Sequence, residues 1–324
     1  MKTVIEMLTL SKIAKLAHVS VSTASKAFSM SGEVSEQTRQ EIFRIAKEYG
    51  CFKKFYNAKY PKYVIAVICP EFRGRYYSGM VAVLQEYLRG KGCEVCVAST
   101  NFSREAEVEL LEYYHNYSNV DGIIMIGGEA PIASTYEIPV VSALPAGEQA
   151  AAVSLQTNYT DALAQIIDHF CAAGTGQIGF IGDAHTGAKQ AAFRATMEKK
   201  GLSCDWIAVD HQRFEAGGYA CMEQLLTGKT RPRAVVCAYD YLAVGAMKCL
   251  ADHGLRVPED VAIVGMDNIP EAAYLVPSLS SVDFCMDEIC RQAAGDIVDL
   301  LNGKQVEARQ YFAAQWVCRD SAQL

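Results

Sequence analysis

From residue 64 onward, short apolar segments alternate with amphipathic ones. Residues 64–69 form a continuous apolar run of strand length, and similar runs recur at 94–98, 122–126, 178–181, 206–209, 234–237 and 261–264. Between these runs, apolar residues return at helical spacing, as in Met80, Leu84 and Leu88. Continuous apolar strands separated by amphipathic helices are typical of a parallel sheet that is covered on both faces. The pattern therefore predicts an α/β body.

The alternation occurs as two successive units of similar length, separated near residue 158. Two such units imply two similar parallel-sheet subdomains, with a ligand cleft where the carboxyl ends of the strands meet. We expect the first subdomain to comprise residues 63–157 with about 285–312. We expect the second to comprise residues 158–284 with about 313–324.

The first 52 residues have a different pattern. Apolar residues at helical spacing follow Thr9, Ser20 and Ser35, each of which is a suitable N-cap. Two short helices joined by a tight turn and braced by a third form the helix-turn-helix layout. The sequence therefore predicts an all-α head over residues 1–52. The basic and aromatic residues 53–62, which include Pro61, are expected to form a linker.

Charge is distributed unevenly between the head and the body. The whole chain has a formal net charge of −7. Residues 1–62 nevertheless contain 11 Lys or Arg against 5 Asp or Glu, whereas the remainder contains 19 against 32. A small basic head on a large acidic body indicates a nucleic-acid contact confined to one end of the protein.

Composition excludes several other classes of protein. A chain of 324 residues with 51% hydrophobic and 21% charged residues is neither largely disordered nor fibrous. No apolar run approaches the roughly 18 residues of a membrane span, and the N-terminus lacks the pattern of a secretory signal. We therefore expect a cytoplasmic protein without membrane contact, whose 12 cysteines are reduced. The single CxxC, at Cys93 and Cys96, lies in an apolar run and is interpreted as core packing.

Enzymatic motifs are not found in the sequence. Gly182 and Gly187 have the separation of a P-loop, but Ala188 stands where that motif requires Lys. There is no GxSxG, no HExxH, and no metal-like spacing among the six His. We therefore predict no catalytic residue, cofactor or metal. An α/β enzyme or a sugar-binding protein acting on a small polar ligand remains the alternative.

The chain resembles the lactose/galactose repressor family of bacterial transcriptional regulators over nearly its whole length. The motifs that carry the resemblance lie at residues 9–10, 13–14, 17–20, 23–26 and 34–39 of the head and at 120–124, 173–174, 177–178, 240–247, 254–261 and 264–268 of the body. The resemblance implies a periplasmic-binding-protein-like clamshell behind the DNA-binding head. It also implies a regulator, expected to be a repressor, whose affinity for operator DNA is controlled by a small molecule such as a sugar or related metabolite.

In that family the second helix of the head enters the major groove of DNA. The resemblance therefore implies that Val21, Ser22 and Lys26 read bases. Lys26 stands where the family usually has Arg, so the readout should be looser. The hydroxyl residues expected to contact phosphates are Thr9, Ser20, Thr23, Ser25 and Thr38. Arg39 is expected either to contact a phosphate or to be a surface charge. Helix capping is the alternative role for Ser20, and a surface charge is the alternative for Lys26.

The linker departs from the family pattern, in which a hinge helix inserts a leucine into the minor groove. This chain has Asn57-Ala58-Lys59-Tyr60-Pro61 there, without a leucine. Tyr60 can substitute as the wedge, although Pro61 ends any helix at that point. Contacts with DNA phosphates are also expected from this segment, by Lys53, Lys54, Asn57 and Lys59.

By resemblance, the effector lies between the two subdomains. The residues implied to bind it are Phe72, Tyr76, Tyr77, Lys189, Phe214, Tyr239, Asp267 and Phe284. Aromatic faces pack on the C–H groups of a sugar, while charged groups bind its hydroxyls. Core packing is the alternative role for Phe72 and Phe214, and Asp240 is expected to be structural.

We also expect a homodimer, because one small head offers little surface for specific binding to a pseudo-palindromic operator. Apolar faces of helices in the first subdomain, such as the helix with Val81 and Leu84, are expected to form the interface. The chain carries no leucine heptads after its last strand, so a dimer is expected and not a tetramer.

Overall fold

The structure, a computed structural model, describes residues 9–55, 63–130, 132, 136–145 and 151–324. It consists of two compact units, residues 1–62 and residues 63–324. We call them the head and the body. Each is described by itself below.

The head contains helices α1 (Leu10–Leu16), α2 (Val21–Phe28), α3 (Glu36–Glu48) and α4 (Phe52–Phe55). Its core is made of the apolar faces of the first three helices together with adjoining residues, namely Ile13, Ala27, Phe28, Val34, Ile42, Ile45, Ala46 and Cys51. The short α4 overlaps the start of the segment expected to be linker, residues 53–62. Its aromatic residues pack on the head, because Phe52 and Phe55 both lie within about 6 Å of the ring of Phe28.

One half of the body, which we call the first lobe, is built on a six-stranded parallel sheet. Its strands are β1 (Tyr63–Cys69), β2 (Cys93–Ser99), β3 (Gly122–Ile126), β4 (Val140–Ala143), β5 (Val153–Asn158) and β11 (Arg309–Ala313), in the spatial order β11-β5-β4-β3-β1-β2. Helices α5 (Arg75–Gly90) and α11 (Met286–Leu301) cover one face, and α6 (Arg104–Asn116) covers the other. Alternate residues of β1 enter the two cores, which explains its continuous apolar run.

The other half, the second lobe, is built on a four-stranded parallel sheet. Its strands are β6 (Ile178–Asp183), β7 (Ile207–Asp210), β8 (Ala234–Cys237) and β9 (Ala262–Val264), in the order β7-β6-β8-β9. The helices of this lobe are α7 (Thr160–Ala172), α8 (Gly187–Lys199), α9 (Phe214–Leu226) and α10 (Asp240–Asp252). An antiparallel pair, β10 (Ser281–Asp283) with β12 (Gln315–Val317), and two 3-10 turns, Pro270–Tyr274 and Asp320–Ala322, complete the fold.

The C-terminal part of the chain returns to the first lobe before it ends in the second. Helix α11 packs on the first-lobe core, and β11 pairs with β5 so that Phe312 lies opposite Thr157. The following strand, β12, pairs instead with β10. An α-helical head followed by an α/β body with two parallel sheets confirms the predicted fold class.

The expected role of Leu84 in a dimer interface requires correction. Leu84 is completely buried in the first-lobe core, and Val81 also packs against that core. The stripe of α5 that appears apolar in the sequence therefore covers the chain's own sheet. A partner subunit cannot contact Leu84 without unfolding the lobe.

Candidate functional sites

The exposed face of α2 in the head carries the residues expected to read bases. Val21 is 47% exposed, and Ser22 and Ser25 are also exposed. The opposite face of the helix is buried by Ala24, Ala27 and Phe28. An exposed valine in the first turn of a helix has no packing role in the head, so this face is free for a partner molecule.

Hydroxyl groups at the helix starts act as caps. The Ser20 hydroxyl accepts a hydrogen bond from the Thr23 amide at 3.0 Å, and the Ser35 hydroxyl accepts one from the Thr38 amide at 3.2 Å. The Thr9 hydroxyl caps α1 in the same way. Capping, the alternative role for Ser20, is therefore observed, and phosphate contacts by these hydroxyls stay a prediction.

Arg39 is not on the surface, contrary to both expected roles. Its side chain is buried, and Nη2 donates to the carbonyl oxygens of Ser31 at 2.8 Å and Val34 at 3.0 Å. Nη1 also lies 3.1 Å from the sulfur of Met30. The guanidinium thus holds the turn between α2 and α3 through main-chain carbonyl groups.

Lys26 is half-exposed and pairs with Glu33 in the turn that follows α2. Five of the expected DNA-contacting residues further along the chain cannot be placed. Asn57, Lys59 and Tyr60 lie outside the described residues, as do the side chains of Lys53 and Lys54. Their contacts with DNA stay predictions.

The body contains a cavity of about 550 Å³ between its two lobes. It opens where the strands end, as expected for parallel sheets. Seven of the eight residues expected to bind the effector line it: Tyr76, Tyr77, Lys189, Phe214, Tyr239, Asp267 and Phe284. Phe72 does not; its side chain is 45% exposed, while the adjacent Glu71 is buried in the cavity wall.

Lys189 and Asp267 form the polar centre of the second-lobe wall. The Lys189 ammonium donates to the carbonyl oxygen of Ala238 at 2.7 Å and lies 3.4 Å from the Asp267 carboxylate. It also lies 4.9 Å from the centroid of the Phe284 ring. Burial raises the pKa of the Asp267 carboxyl to about 7, even though the charge of Lys189 lowers it. Asp267 has a φ of 146°, a strained backbone of the kind found at binding sites.

Asp240, at the start of α10, has the structural role expected for it. Its carboxylate accepts hydrogen bonds from the Ser281 hydroxyl at 2.5 Å and the Ile269 amide at 2.8 Å. Burial raises its pKa to about 6, although both hydrogen bonds lower it. These bonds fix the segment after β9 and thereby the position of Asp267.

An arginine that sequence reasoning missed lies at the opposite side of the cavity. Arg213 Nη1 contacts the Glu71 carboxylate at 2.6 Å, and Nε contacts the Asp183 carboxylate at 3.3 Å. Asp183 also accepts a hydrogen bond from the Tyr239 hydroxyl at 2.8 Å. That hydroxyl in turn accepts one from the Phe214 amide at 2.8 Å, so the cluster fixes the start of α9.

Aromatic side chains dominate the rest of the lining. Those that the sequence analysis did not name are Phe102, Tyr159, His185, Tyr241 and Tyr311. Phe102 of the first lobe stacks on His185 of the second, with ring centroids 4.3 Å apart. Phe102 and His185 follow β2 and β6 by a few residues, and position after a strand was the signal that could have identified them.

Neither a metal site nor a membrane span was found in the described part of the chain. No group of three or more His, Cys, Asp or Glu there has the geometry to hold a metal ion. Among the same residues, no helix is both long and apolar enough to cross a membrane. The described lining residues of the cavity offer hydrogen bonding, ion pairing and aromatic packing to a ligand.

Each of the two units matches a known protein profile. The profile "Bacterial regulatory proteins, lacI family" matches residues 9–51, and the profile "Periplasmic binding protein-like domain" matches residues 167–322. The HTH-type transcriptional regulator AscG of Escherichia coli K12 is 25% identical over 97% of this chain and 98% of its own length. The ribose operon repressor of Haemophilus influenzae is 28% identical over 85% of this chain and 86% of its own length.

Solved structures have the same fold. The lac repressor dimer bound to operator and the anti-inducer ONPF has a TM-score of 0.74 at 19% identity, covering 98% of this chain and 99% of that one. The complex of the transcriptional regulator CelR with cellobiose has a TM-score of 0.68 at 24% identity, covering 97% and 99%. The chain thus has a helix-turn-helix head that matches the lacI-family profile and a body that matches the periplasmic-binding-protein-like profile, and it is similar to transcriptional regulators over nearly its whole length.

Proposed function

We propose that the protein is a repressor that binds a pseudo-palindromic operator as a homodimer and changes its DNA affinity when a small molecule occupies the cavity. The observation that carries the DNA-binding part is the α2 surface, where Val21, Ser22 and Lys26 face solvent while the opposite side builds the core. Val21 can contact a thymine methyl group, Ser22 can donate or accept, and Lys26 can bind guanine O6 and N7.

The cavity supports the ligand-controlled part of the proposal. It lies between two lobes that the chain crosses at residues 158–160, 283–286 and 313–315, so a bound molecule can change the angle between them. Such a change shifts DNA affinity only if the ligand binds the two lobe arrangements with different affinities. The names of related structures include cellobiose and sucrose complexes, which supports a sugar or a related metabolite as the effector.

We extend the proposal to domain boundaries, class and location. The DNA-binding domain is residues 1–52, the hinge 53–62, and the effector-binding subdomains are 63–157 with about 285–312 and 158–284 with about 313–324. We infer that the chain is not an enzyme, because its relatives are transcriptional regulators. A regulator of transcription acts where the bacterial chromosome is, which supports the cytoplasm.

Selection of DNA from a random pool by the full chain tests base reading. We expect an enriched pseudo-palindromic site, and we expect Lys26→Ala to lose preference for it while keeping salt-sensitive binding to any duplex. Lys248→Ala is the matched control, because it removes an exposed charge from the body and should leave the preference unchanged. Enrichment of the same site by Lys26→Ala would remove Lys26 from the readout.

Thermal-shift screening against sugars, sugar phosphates and nucleobases identifies the effector, because a ligand that prefers the folded state raises the melting temperature. A molecule that stabilises the chain should then change its affinity for the selected DNA. Tight binding in the cavity without any change in DNA affinity would contradict the proposed control.

A further inference from the structure

Arg213 connects the two lobes across the cavity. It lies just before α9 in the second lobe, whereas Glu71 follows β1 in the first lobe, 142 residues away in the chain. Their side chains meet at 2.6 Å, and the second carboxylate on Arg213, Asp183, is completely buried. A charge-assisted contact of this length, held between buried carboxylates, is strong and fixed in direction.

The planar guanidinium of Arg213 also packs against aromatic rings. Its central carbon lies 4.7 Å from the ring centroids of both Phe102 and Phe214. Phe102, a first-lobe residue, also stacks on His185 of the second lobe. Arg213 therefore has carboxylate partners and ring partners before any ligand arrives.

The second cation in the cavity, Lys189, is matched in the same way by Asp267 and by the carbonyl oxygen of Ala238. Among the described residues that line the cavity, these two cations stand against three carboxylates. The undescribed stretches of the body, residues 131, 133–135 and 146–150, contain no Lys or Arg. Each cation among the described lining residues of the cavity thus already has partners within the protein.

We infer that the effector is an uncharged, polyhydroxylated molecule, and that Arg213, neutralised by Glu71 and Asp183, excludes phosphorylated and carboxylated analogues. The inference rests on the proposed function, since it takes the cavity to be the effector site. A phosphate group carries a charge of about −1.5 to −2 at pH 7, and here it would meet the carboxylates of Glu71 and Asp183, which already occupy Arg213. An uncharged sugar meets aromatic faces, tyrosine hydroxyls and the side chains of Gln156 and Thr157 instead.

Inorganic phosphate provides a test that does not require the effector to be known. We expect ³¹P NMR line broadening to detect no cavity binding to the full chain at millimolar phosphate. The double variant Glu71→Gln, Asp183→Asn frees Arg213, and its phosphate affinity should rise at least about tenfold. Adding Arg213→Gln to the double variant should abolish the gain.

Two results would overturn the inference: phosphate binding to the unaltered chain that Arg213→Gln removes, or no gain in the double variant. If the double variant does not fold, Glu71→Gln alone is the substitute, because it removes one charge with little change in shape. Glu71→Asp is its control, since it changes the side-chain length but keeps the charge, and it should gain nothing.

Matched ligand pairs test the same inference at the effector level. Glucose, sucrose and cellobiose are each compared with their 6-phosphates by thermal shift on the full chain. Where a pair stabilises the chain, we expect the uncharged member to bind at least about tenfold more tightly than its phosphate. Stronger stabilisation by a phosphate ester overturns the inference. Failure of the proposed function has a different signature: an uncharged sugar binds but does not alter the affinity for the selected DNA.

Discussion

Lys26 lies on the face of α2 that we propose contacts DNA, and it already forms an ion pair within the head. Its ammonium pairs with Glu33, whose side chain is largely exposed, so DNA must replace that carboxylate before Lys26 can bind a base or a phosphate. Replacing Glu33 by Gln should therefore tighten binding to selected and unselected DNA alike, by a few-fold, since an exposed ion pair contributes about 0.2–1 kcal/mol. Fluorescence anisotropy over a range of salt concentrations measures this.

Glu48→Gln is the control for that change, because Glu48 pairs with Arg44 on α3, away from α2. The two substitutions alter the net charge of the head equally. Equal effects on DNA affinity would mean that only net charge matters and that Glu33 has no specific influence on Lys26.

Asp267 should make the free energy of unfolding of the body depend on pH. Burial raises its pKa to about 7, compared with about 3.9 in the unfolded chain. Between these two values the folded state binds more protons than the unfolded state, so stability falls as pH rises through this window. We expect the free energy of unfolding to decrease by about 1–3 kcal/mol from about pH 5 to about pH 8 on this account.

Urea unfolding at several pH values measures that decrease, and Asp267→Asn should make it smaller, because Asn does not titrate. The residual slope includes Asp240, whose pKa burial raises to about 6. A pH profile of Asp267→Asn identical to that of the unaltered chain would show that Asp267 is not the titrating group.

At the scale of elements, α9 and α10 approach each other more closely than side chains allow. A Cβ atom at Gly245 would lie 2.0 Å from the carbonyl oxygen of Glu215, and one at Gly218 would lie 2.0 Å from that of Leu242. Gly245→Ala should force the helices apart and destabilise the body by about 1–3 kcal/mol or more. Because Arg213 and Phe214 lie at the start of α9, ligand binding should weaken as well.

Gly295→Ala in α11 is the matched control, since a Cβ atom there meets nothing within 4 Å. Gly295→Ala should stabilise the chain by about 0.5–1 kcal/mol, because glycine within a helix is less stable than alanine by about that amount. Thermal unfolding compares the two variants. A stabilising Gly245→Ala would mean that the close approach of α9 and α10 is not required.

Elements were predictable from the sequence where local chemistry marks them. The caps at Thr9, Ser20 and Ser35 identified the starts of α1, α2 and α3. By contrast, α8, α9 and α10 have no side-chain cap hydrogen bond. Their first turns contribute to the cavity wall, so these turns lack the apolar stripe on which helix prediction depends.

The candidate site was predictable only in part, for a related physical reason. Asp267 was found because it lies in a motif, and Lys189 because of its position in the family resemblance. Arg213, Glu71 and Phe102 instead lie in loops without periodicity. Their proximity depends on how two lobes built from separate sheets face each other. No local pattern encodes a contact between residues 142 positions apart.

At the scale of the whole molecule, the head is too small to account for operator recognition alone. Its described helices end at Phe55, and a single module of this kind covers about 600–1,000 Å² of DNA-facing surface, less than a typical specific interface. Two heads on a symmetric site double the base contacts, which is the physical argument for a homodimer. Since Leu84 is buried within its own lobe, the dimer contact must use other surfaces.

The proposed dimer can be tested by its mass in solution and by its binding to DNA. Sedimentation equilibrium of the full chain should give a dimer at micromolar concentration, and the complex with selected DNA should contain two chains per duplex. Scrambling one half-site should weaken binding at least about tenfold, because one head then loses its specific base contacts while the other keeps them. A monomer at micromolar concentration, or equal affinity for the intact and half-scrambled duplex, would mean that each head reads DNA independently.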